Sequence, residues 1–187
     1  MSLTLSTRFM NSPSNTTSSA TVTALLSLGS NLPCAGRSPQ QLLQAAMESL
    51  GQLAIESQAS SLYRSEPQDC PPGSGHFINA AMLLQLPSLI SPQQLLAQLQ
   101  QIEVDFGRQR GPERNQARTL DIDIISFENQ LLETDALTLP HPRAIERRFV
   151  LLPLTEIAPK LVLPGQKSTI AELLAGLPDD ASVQRLE

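Results

Sequence analysis

Phe77-Ile78-Asn79-Ala80-Ala81-Met82-Leu83-Leu84-Gln85-Leu86, followed after a short break by Ser91-Pro92-Gln93-Gln94-Leu95-Leu96, sets a strand directly before a helix. Successive side chains of a strand point to opposite faces, so Ile78, Ala80, Met82, Leu84 and Leu86 share one face and Phe77, Asn79, Ala81 and Leu83 the other. Asn79 is the odd member. An amide among apolar neighbours must find hydrogen-bond partners, either in nearby backbone or in a heteroaromatic ligand. In the second segment Ser91 and Pro92 are helix-start residues, and Leu95, Leu99, Ile102 and Phe106 recur at helical spacing as a buried stripe.

The same grammar stands upstream. Residues 22–28 are a short apolar run ended by Gly29-Ser30-Asn31, a strand and its turn. Ser38-Pro39-Gln40-Gln41-Leu42-Leu43 then opens a helix with a capping box, and Leu43, Ala46, Leu50 and Leu53 give it an apolar stripe ending near Gly51. Residues 57–65 read as a further strand. Residues 66–76 hold three prolines and two glycines, a loop long enough to be functional or disordered. Downstream of the second helix, residues 107–118 carry no apolar period, and residues 120–127 read as a strand. Strand, helix, strand, strand, helix, strand is the order of a ferredoxin-like βαββαβ fold of the α+β class, an antiparallel sheet with helices on one face.

C-terminal strand and helix additions complete the domain. Residues 131–139 alternate like a strand near their end, and Pro140-His141-Pro142 fixes an extended corner that holds His141 in place. Arg143 and Arg147 have i, i+4 spacing and would share one face of a helix. The apolar run over residues 149–157 is interrupted by Pro153, and Thr169 to Glu172 caps a short last helix. Residues 1–21, rich in Ser, Thr and Asn, are expected to be a disordered extension, and residues 22–187 a single domain.

The decisive chemical stretch is Gly107-Arg-Gln-Arg-Gly-Pro-Glu-Arg-Asn-Gln-Ala-Arg-Thr-Leu-Asp-Ile-Asp123. Asp121 and Asp123 fall on one face of a strand, about 7 Å apart, with Leu120, Ile122 and Ile124 on the other. Two such carboxylates repel unless something positive lies between them, an arginine or a metal. Magnesium takes one or two carboxylates plus water and phosphate oxygens, and Arg108, Arg110, Arg114 and Arg118 could grip the remaining phosphate charge. Gln100 and Glu103 point together from the preceding helix toward this loop. An exposed edge strand with solvated acids is the plainer alternative.

Composition narrows the classes further. The net charge of −5 argues against nonspecific binding to nucleic acid or to an anionic membrane, yet seven of the eleven arginines lie between Arg108 and Arg148. That concentration suits a small-anion site. With five Phe, one Tyr and no Trp, each ring available for stacking is worth placing. Cys34 and Cys70 lack metal-ligand spacing, so a reducing cytoplasm is the expected compartment, and no stretch has the apolar length of a membrane span. Gly165-Gln166-Lys167-Ser168 lacks the Gly-x-x-x-x-Gly-Lys-Ser/Thr pattern of a P-loop.

Six motifs together closely resemble the 6-hydroxymethyl-7,8-dihydropterin pyrophosphokinase family of folate biosynthesis. They are Leu28-Gly29-Ser30-Asn31, Tyr63-Arg64-Ser65-Glu66-Pro67, Phe77-Ile78-Asn79-Ala80, Arg118-Thr119-Leu120-Asp121-Ile122-Asp123, Leu139-Pro140-His141-Pro142-Arg143 and Glu146-Arg147-Arg148-Phe149-Val150-Leu151. The resemblance implies transfer of a pyrophosphoryl group from ATP to the pterin hydroxymethyl oxygen, with release of AMP. It implies two magnesium ions on Asp121 and Asp123, and a catalytic set of these two with Arg108 and Arg118. On the ATP side it places Gln100, Glu103, Arg110, Arg118, Ile124, His141 and Arg147. Pterin would meet Ser65, Glu66, Phe77, Asn79, Asp121 and Phe149, the two rings sandwiching it. The partners implied are these small molecules, for a chain acting as a monomer. One departure stands out: many members have an aromatic residue and Gly-Pro before Arg-Thr-Leu-Asp, where this chain has Asn115, Gln116 and Ala117. The rival expectation is a noncatalytic ferredoxin-like module that only binds.

Overall fold

The computed structural model describes residues 21–68, 70–71, 73–108, 117–178 and 182–187. Strand β1 (Thr21–Ser30), helix α1 (Pro39–Gly51), strands β2 (Glu56–Ala59), β3 (Tyr63–Ser65) and β4 (Phe77–Pro87), helix α2 (Pro92–Asp105) and strand β5 (Asp121–Phe127) follow in order. β5 pairs with β1, β1 with β4, and β4 with both β2 and β3, antiparallel throughout. This is the expected ferredoxin-like unit, with β2 and β3 as two pieces of one strand. The chain continues through a ribbon of β6 (Leu132–Glu133) and β7 (Thr138–Leu139) and a 3-10 turn at Ala144–Glu146. Helices α3 (Arg148–Ile157) and α4 (Ile170–Ala175) and strand β8 (Val183–Arg185) follow, and β8 adds to the sheet beside β3. The expected disordered extension falls, apart from Thr21, outside the described residues.

Local chemistry explains the helix boundaries. Ser38 and Ser91 each accept the backbone N–H three residues on, while Gln41 and Gln94 return the bond to the cap, so both capping boxes are formed. At the far end of α2, Gly107 N–H bonds to Val104 O at 2.9 Å and Arg108 N–H to Glu103 O at 2.9 Å, with Gly107 at φ +83°. That is a Schellman ending, which turns Arg108 back toward Glu103.

Three local expectations are corrected. The strand over residues 57–65 is broken, because Ser60 is buried and its hydroxyl accepts the Ala81 N–H at 2.9 Å, putting a side chain into the ladder. Pro153 does not interrupt α3, although it has no N–H to give the Phe149 carbonyl. The apolar face of α3, with Val150, Leu151, Leu154 and Ile157, is held by tertiary packing that outweighs this loss. Arg143 and Arg147 do not share an α-helical face, since they flank the 3-10 turn from either side.

Helices also cover both faces of the sheet rather than one. Leu26, Leu28, Ala80, Met82, Leu84, Ile122 and Ile124 pack with Leu43, Ala46, Leu50, Leu95 and Leu99 of α1 and α2 in the larger core. On the opposite face Leu25, Ala81 and Ile125 pack with α3 and with Ile170 of α4. The apolar members Ala81 and Leu83 on the second face of β4 supplied the reason. Truncating a fully buried residue such as Leu26 or Leu84 to alanine costs about 2–5 kcal/mol.

Candidate functional site

Strand alternation builds the site. β5 gives Ile122 and Ile124 to the larger core and turns Asp121 and Asp123 to the face that carries α3. In the register of the sheet, Asp121 lies opposite Gly29, Gly29 opposite Asn79, and Asn79 opposite Tyr63. Directly opposed residues share a face, so these four form one rung. Asp123 faces Ser27 in the same way. Helix α3 covers Leu25, Ala81 and Ile125 of this face, and the sheet beyond its N-terminus stays open.

That opening is a cavity of about 220 Å³. In the register Asp121 marks one end of it and Asn79 the other, and Asp123, Arg108, Arg118, Arg143, Arg147, His141, Phe77, Phe149, Ser65 and Glu66 complete the lining. A Cβ built on Gly29 would lie 3.6 Å from Asn79 Oδ1 and 3.9 Å from Phe77 Cδ1. Any longer side chain there would fill the floor between the two ends.

Each acid has a distinct environment. Asp121 pairs with Arg108 Nη1 at 2.7 Å through Oδ1 and with Arg118 Nη1 at 2.6 Å through Oδ2. Burial pushes the Asp123 carboxyl up to about 6, with the Asp121 charge adding to the shift and Arg147, Arg118 and Arg108 opposing it. Burial and the nearby Arg147 and Arg143 lower His141, which favours a neutral imidazole. Its Nδ1 accepts the Arg143 backbone N–H at 3.3 Å, and the His141 backbone N–H donates to Ile125 O at 2.8 Å.

Across Gly29 from Asp121 stands a fixed amide. Asn79 is 2% exposed and donates from Nδ2 to Ser65 Oγ at 2.9 Å, which fixes the amide plane. The partner is thus a side chain on the neighbouring strand rather than nearby backbone. Phe149, the second residue of α3, carries the Arg147 guanidinium 5.4 Å from its ring centroid.

Eleven of the expected site residues line this one cavity: Ser65, Glu66, Phe77, Asn79, Arg108, Arg118, Asp121, Asp123, His141, Arg147 and Phe149. Three stand apart from the lining. Ile124 puts its side chain into the larger core, so only its backbone is available, and Gln100 is half-buried on α2. Glu103, 3% exposed, accepts the Ile122 N–H at 2.8 Å and pairs with Arg108, acting as a strut between α2, β5 and the arginine. Burial raises its carboxyl above the usual range despite these two donors. Arg110 lies outside the described residues. Ser27, Gln68, Cys70 and Arg143 also line the cavity, and sequence reasoning did not assign them. Only the register of β1 against β5 could have marked Ser27.

Metal chemistry is compatible with the donor set. Asp121 and Asp123 offer hard oxygen ligands on one strand face, and among the described residues no cluster of three or more His, Cys, Asp or Glu side chains could cage an ion. A hard cation here would complete its shell with water and with oxygens of a bound polyanion, which is the habit of magnesium.

On a ferredoxin-like sheet the site thus joins a carboxylate pair among arginines with a buried amide and two phenylalanine rings. Comparison with known proteins names the family. A family model described as 7,8-dihydro-6-hydroxymethylpterin-pyrophosphokinase (HPPK) matches residues 25–159, and the chain belongs to that family. A Haemophilus influenzae 2-amino-4-hydroxy-6-hydroxymethyldihydropteridine pyrophosphokinase is 36% identical over 165 residues, covering 87% of this chain and 98% of that protein. The Pseudomonas aeruginosa protein of the same name is 38% identical over 167 residues, 86% of this chain and 94% of the relative. Among solved structures, wild-type Plasmodium falciparum HPPK-DHPS matches with a TM-score of 0.64 at 15% identity, over 86% of this chain. That likeness speaks for the fold, and this chain spans 42% of the Plasmodium one.

Proposed function

We infer that the chain carries out the reaction for which its family is named, transferring pyrophosphate from ATP to 6-hydroxymethyl-7,8-dihydropterin in folate biosynthesis. The observation that carries the reading at residue level is the shared cavity, with Phe77, Asn79 and Phe149 at one end and Asp121, Asp123 and the arginines at the other. The new bond joins the hydroxymethyl oxygen to Pβ of ATP as that hydroxyl gives its proton up to solvent. The Pβ–O bond to the leaving AMP breaks.

Each group has a task in this reading. Phe77 and Phe149 hold the pterin ring, Asn79 reads its polar edge in the orientation fixed by Ser65, and Ser65 and Glu66 contact it through their backbone. Arg108, Arg118, Arg147 and His141 take the triphosphate, and Arg110 joins them from the basic loop. Glu103 and Gln100 serve the ATP side from α2, Glu103 through Arg108. Asp121 and Asp123 would hold two magnesium ions, whose charge would offset that of the transferring group. Arginines released from Asp121 would then bind phosphate oxygens, and the cavity would position the hydroxyl in line with Pβ. All of these residues come from one chain, which suits a monomer, and the free thiols of Cys34 and Cys70 suit the cytoplasm.

The test mixes purified protein, Mg-ATP and 6-hydroxymethyl-7,8-dihydropterin. AMP that appears only with pterin present is the expected product. Formation of ADP, or AMP formation independent of pterin, would overturn the reading.

A further inference from the structure

Asn31 ends the first of the six motifs, and the functional reading leaves it without a task. It stands one residue past β1, outside the lining of the cavity. The pairing of β1 with β5 begins at Gly29 opposite Asp121, so Arg118 lies three residues beyond the end of the ladder. Three hydrogen bonds nonetheless hold the Arg118 backbone there. Its N–H donates to Asn31 Oδ1 at 2.7 Å, and its carbonyl accepts from Asn31 N–H at 3.1 Å and Leu32 N–H at 3.2 Å. The hydroxyls of the flanking Ser30 and Thr119 are buried without a hydrogen-bond partner. Those two side chains add no hydrogen bond to the crossing, and the three bonds to the Arg118 backbone span it.

Resting on the proposed function, we propose that Asn31 is a positioning residue that sets the Arg118 guanidinium at Asp121 and so tunes the grip on the triphosphate. An acceptor for this N–H must sit two bonds beyond Cβ, which Asn and Asp provide and Ser and Ala do not. Asn supplies it without adding a negative charge beside a phosphate site. The clasp acts at the C-terminal root of the basic loop, opposite the Schellman turn that fixes Arg108 at its N-terminal root. Both arginines that hold Asp121 are thereby set from their own backbone.

The experiment is a double-mutant cycle read by calorimetric affinity for magnesium with α,β-methylene-ATP, a non-transferable analogue. Asn31→Ala is expected to weaken binding about tenfold, the size of one lost hydrogen bond. In an Arg118→Ala background the same change is expected to cost nothing more, because Asn31 acts through that side chain. Additive penalties, or unchanged binding by Asn31→Ala, overturn the inference. If Asn31→Ala does not fold, Asn31→Asp decides at raised ionic strength, where the added charge is screened. Affinity kept within about threefold supports the clasp, and a loss as large as that of Arg118→Ala overturns it. Wild-type protein that binds the analogue but forms no pterin-dependent AMP would remove the proposed reaction and leave the cycle decisive for Asn31.

Discussion

Arg118 Nη1 lies 2.6 Å from Asp121 Oδ2 while Arg108 Nη1 lies 2.7 Å from Oδ1, so both oxygens of this carboxylate are held by guanidinium groups. A cation reaching Asp121 alone must displace two charge-assisted bonds, whereas ATP offers the arginines new partners as the cation arrives. Titration with Mn2+ as a paramagnetic probe should therefore show weak binding to protein alone and at least about tenfold tighter binding with α,β-methylene-ATP. Arg118→Ala should narrow that gap by strengthening the free-cation step. Equal affinities in the two titrations of wild-type protein would contradict the exchange.

Burial of the Asp123 carboxyl costs stability at neutral pH. Its folded pKa of about 6 lies above the usual 3.8, so its stabilising contribution is complete below about 3.8 and is lost as pH rises through 6. At pH 7.5 without metal the charged carboxylate is a net cost. Asp123→Asn should raise stability there by up to about 3 kcal/mol, the equivalent of two pK units, and by almost nothing near pH 3. Turnover should fall to near background. Calorimetric melting at the two pH values, beside the AMP assay, separates these effects.

At the ring end, Asn79→Ala should weaken pterin binding by about tenfold or more and leave affinity for the Mg-ATP analogue almost unchanged. Ser65→Ala, which only releases the amide orientation, should show a smaller effect of the same kind. Gly29→Val should fold and still lose pterin binding, since its branches extend past the 3.6 Å contact toward Asn79 and Phe77. Fluorescence titration of pterin resolves all three variants, and a matching loss for both substrates would show general disruption instead.

Gly107→Ala carries two penalties. The residue has φ +83°, and an added Cβ would come within 2.5 Å of Cys34 Sγ. A left-handed alanine alone costs about 1 kcal/mol. Denaturant unfolding should reveal a larger loss, and Cys34→Ala should recover the steric part. A Gly107→Ala protein of wild-type stability would show that the turn relaxes freely.

In the last turn of α3, Glu156 accepts from Ser61 N–H at 3.0 Å, Ser61 Oγ at 2.9 Å and Tyr63 Oη at 2.9 Å. Burial alone would raise this carboxyl, but the Ser61 and Tyr63 bonds with the Arg185 charge hold it below the usual 4.5. Its contribution is present above 4.5 and lost as pH falls through the lower folded value, so Glu156→Gln should narrow the difference from wild type in acid. Tyr63, pushed up to about 12 by burial and then by Glu156, contributes fully below 10 and loses this between 10 and 12. Melting curves across pH test both windows, and Tyr63→Phe should remove the alkaline one.

Much of the site was legible because its residues follow short-range rules. The alternation around Asp121 and Asp123 placed both acids on one face, and the isolated Asn79 signalled an amide with a task. Gln100, Glu103 and Ile124 were assigned to ATP by resemblance. Spacing along α2 showed that Glu103 faces the basic loop, but not that it is buried as a strut under Arg108. Arg143 and Arg147 do meet at the cavity, though by way of a 3-10 turn that i, i+4 spacing does not describe.

By itself the sequence determined the capped helices α1, α2 and α4 and the strands β1, β4 and β5 in their order, since caps and periodicity act within a few residues. Only the tertiary structure decided that α3 covers part of the second face and leaves the rest open. It also decided that Gly29 stands between Asp121 and Asn79, and that Asn31 closes on Arg118. Those relations join positions up to 92 residues apart through strand register. Register is fixed by how whole faces pack, and no local stretch of chain contains it.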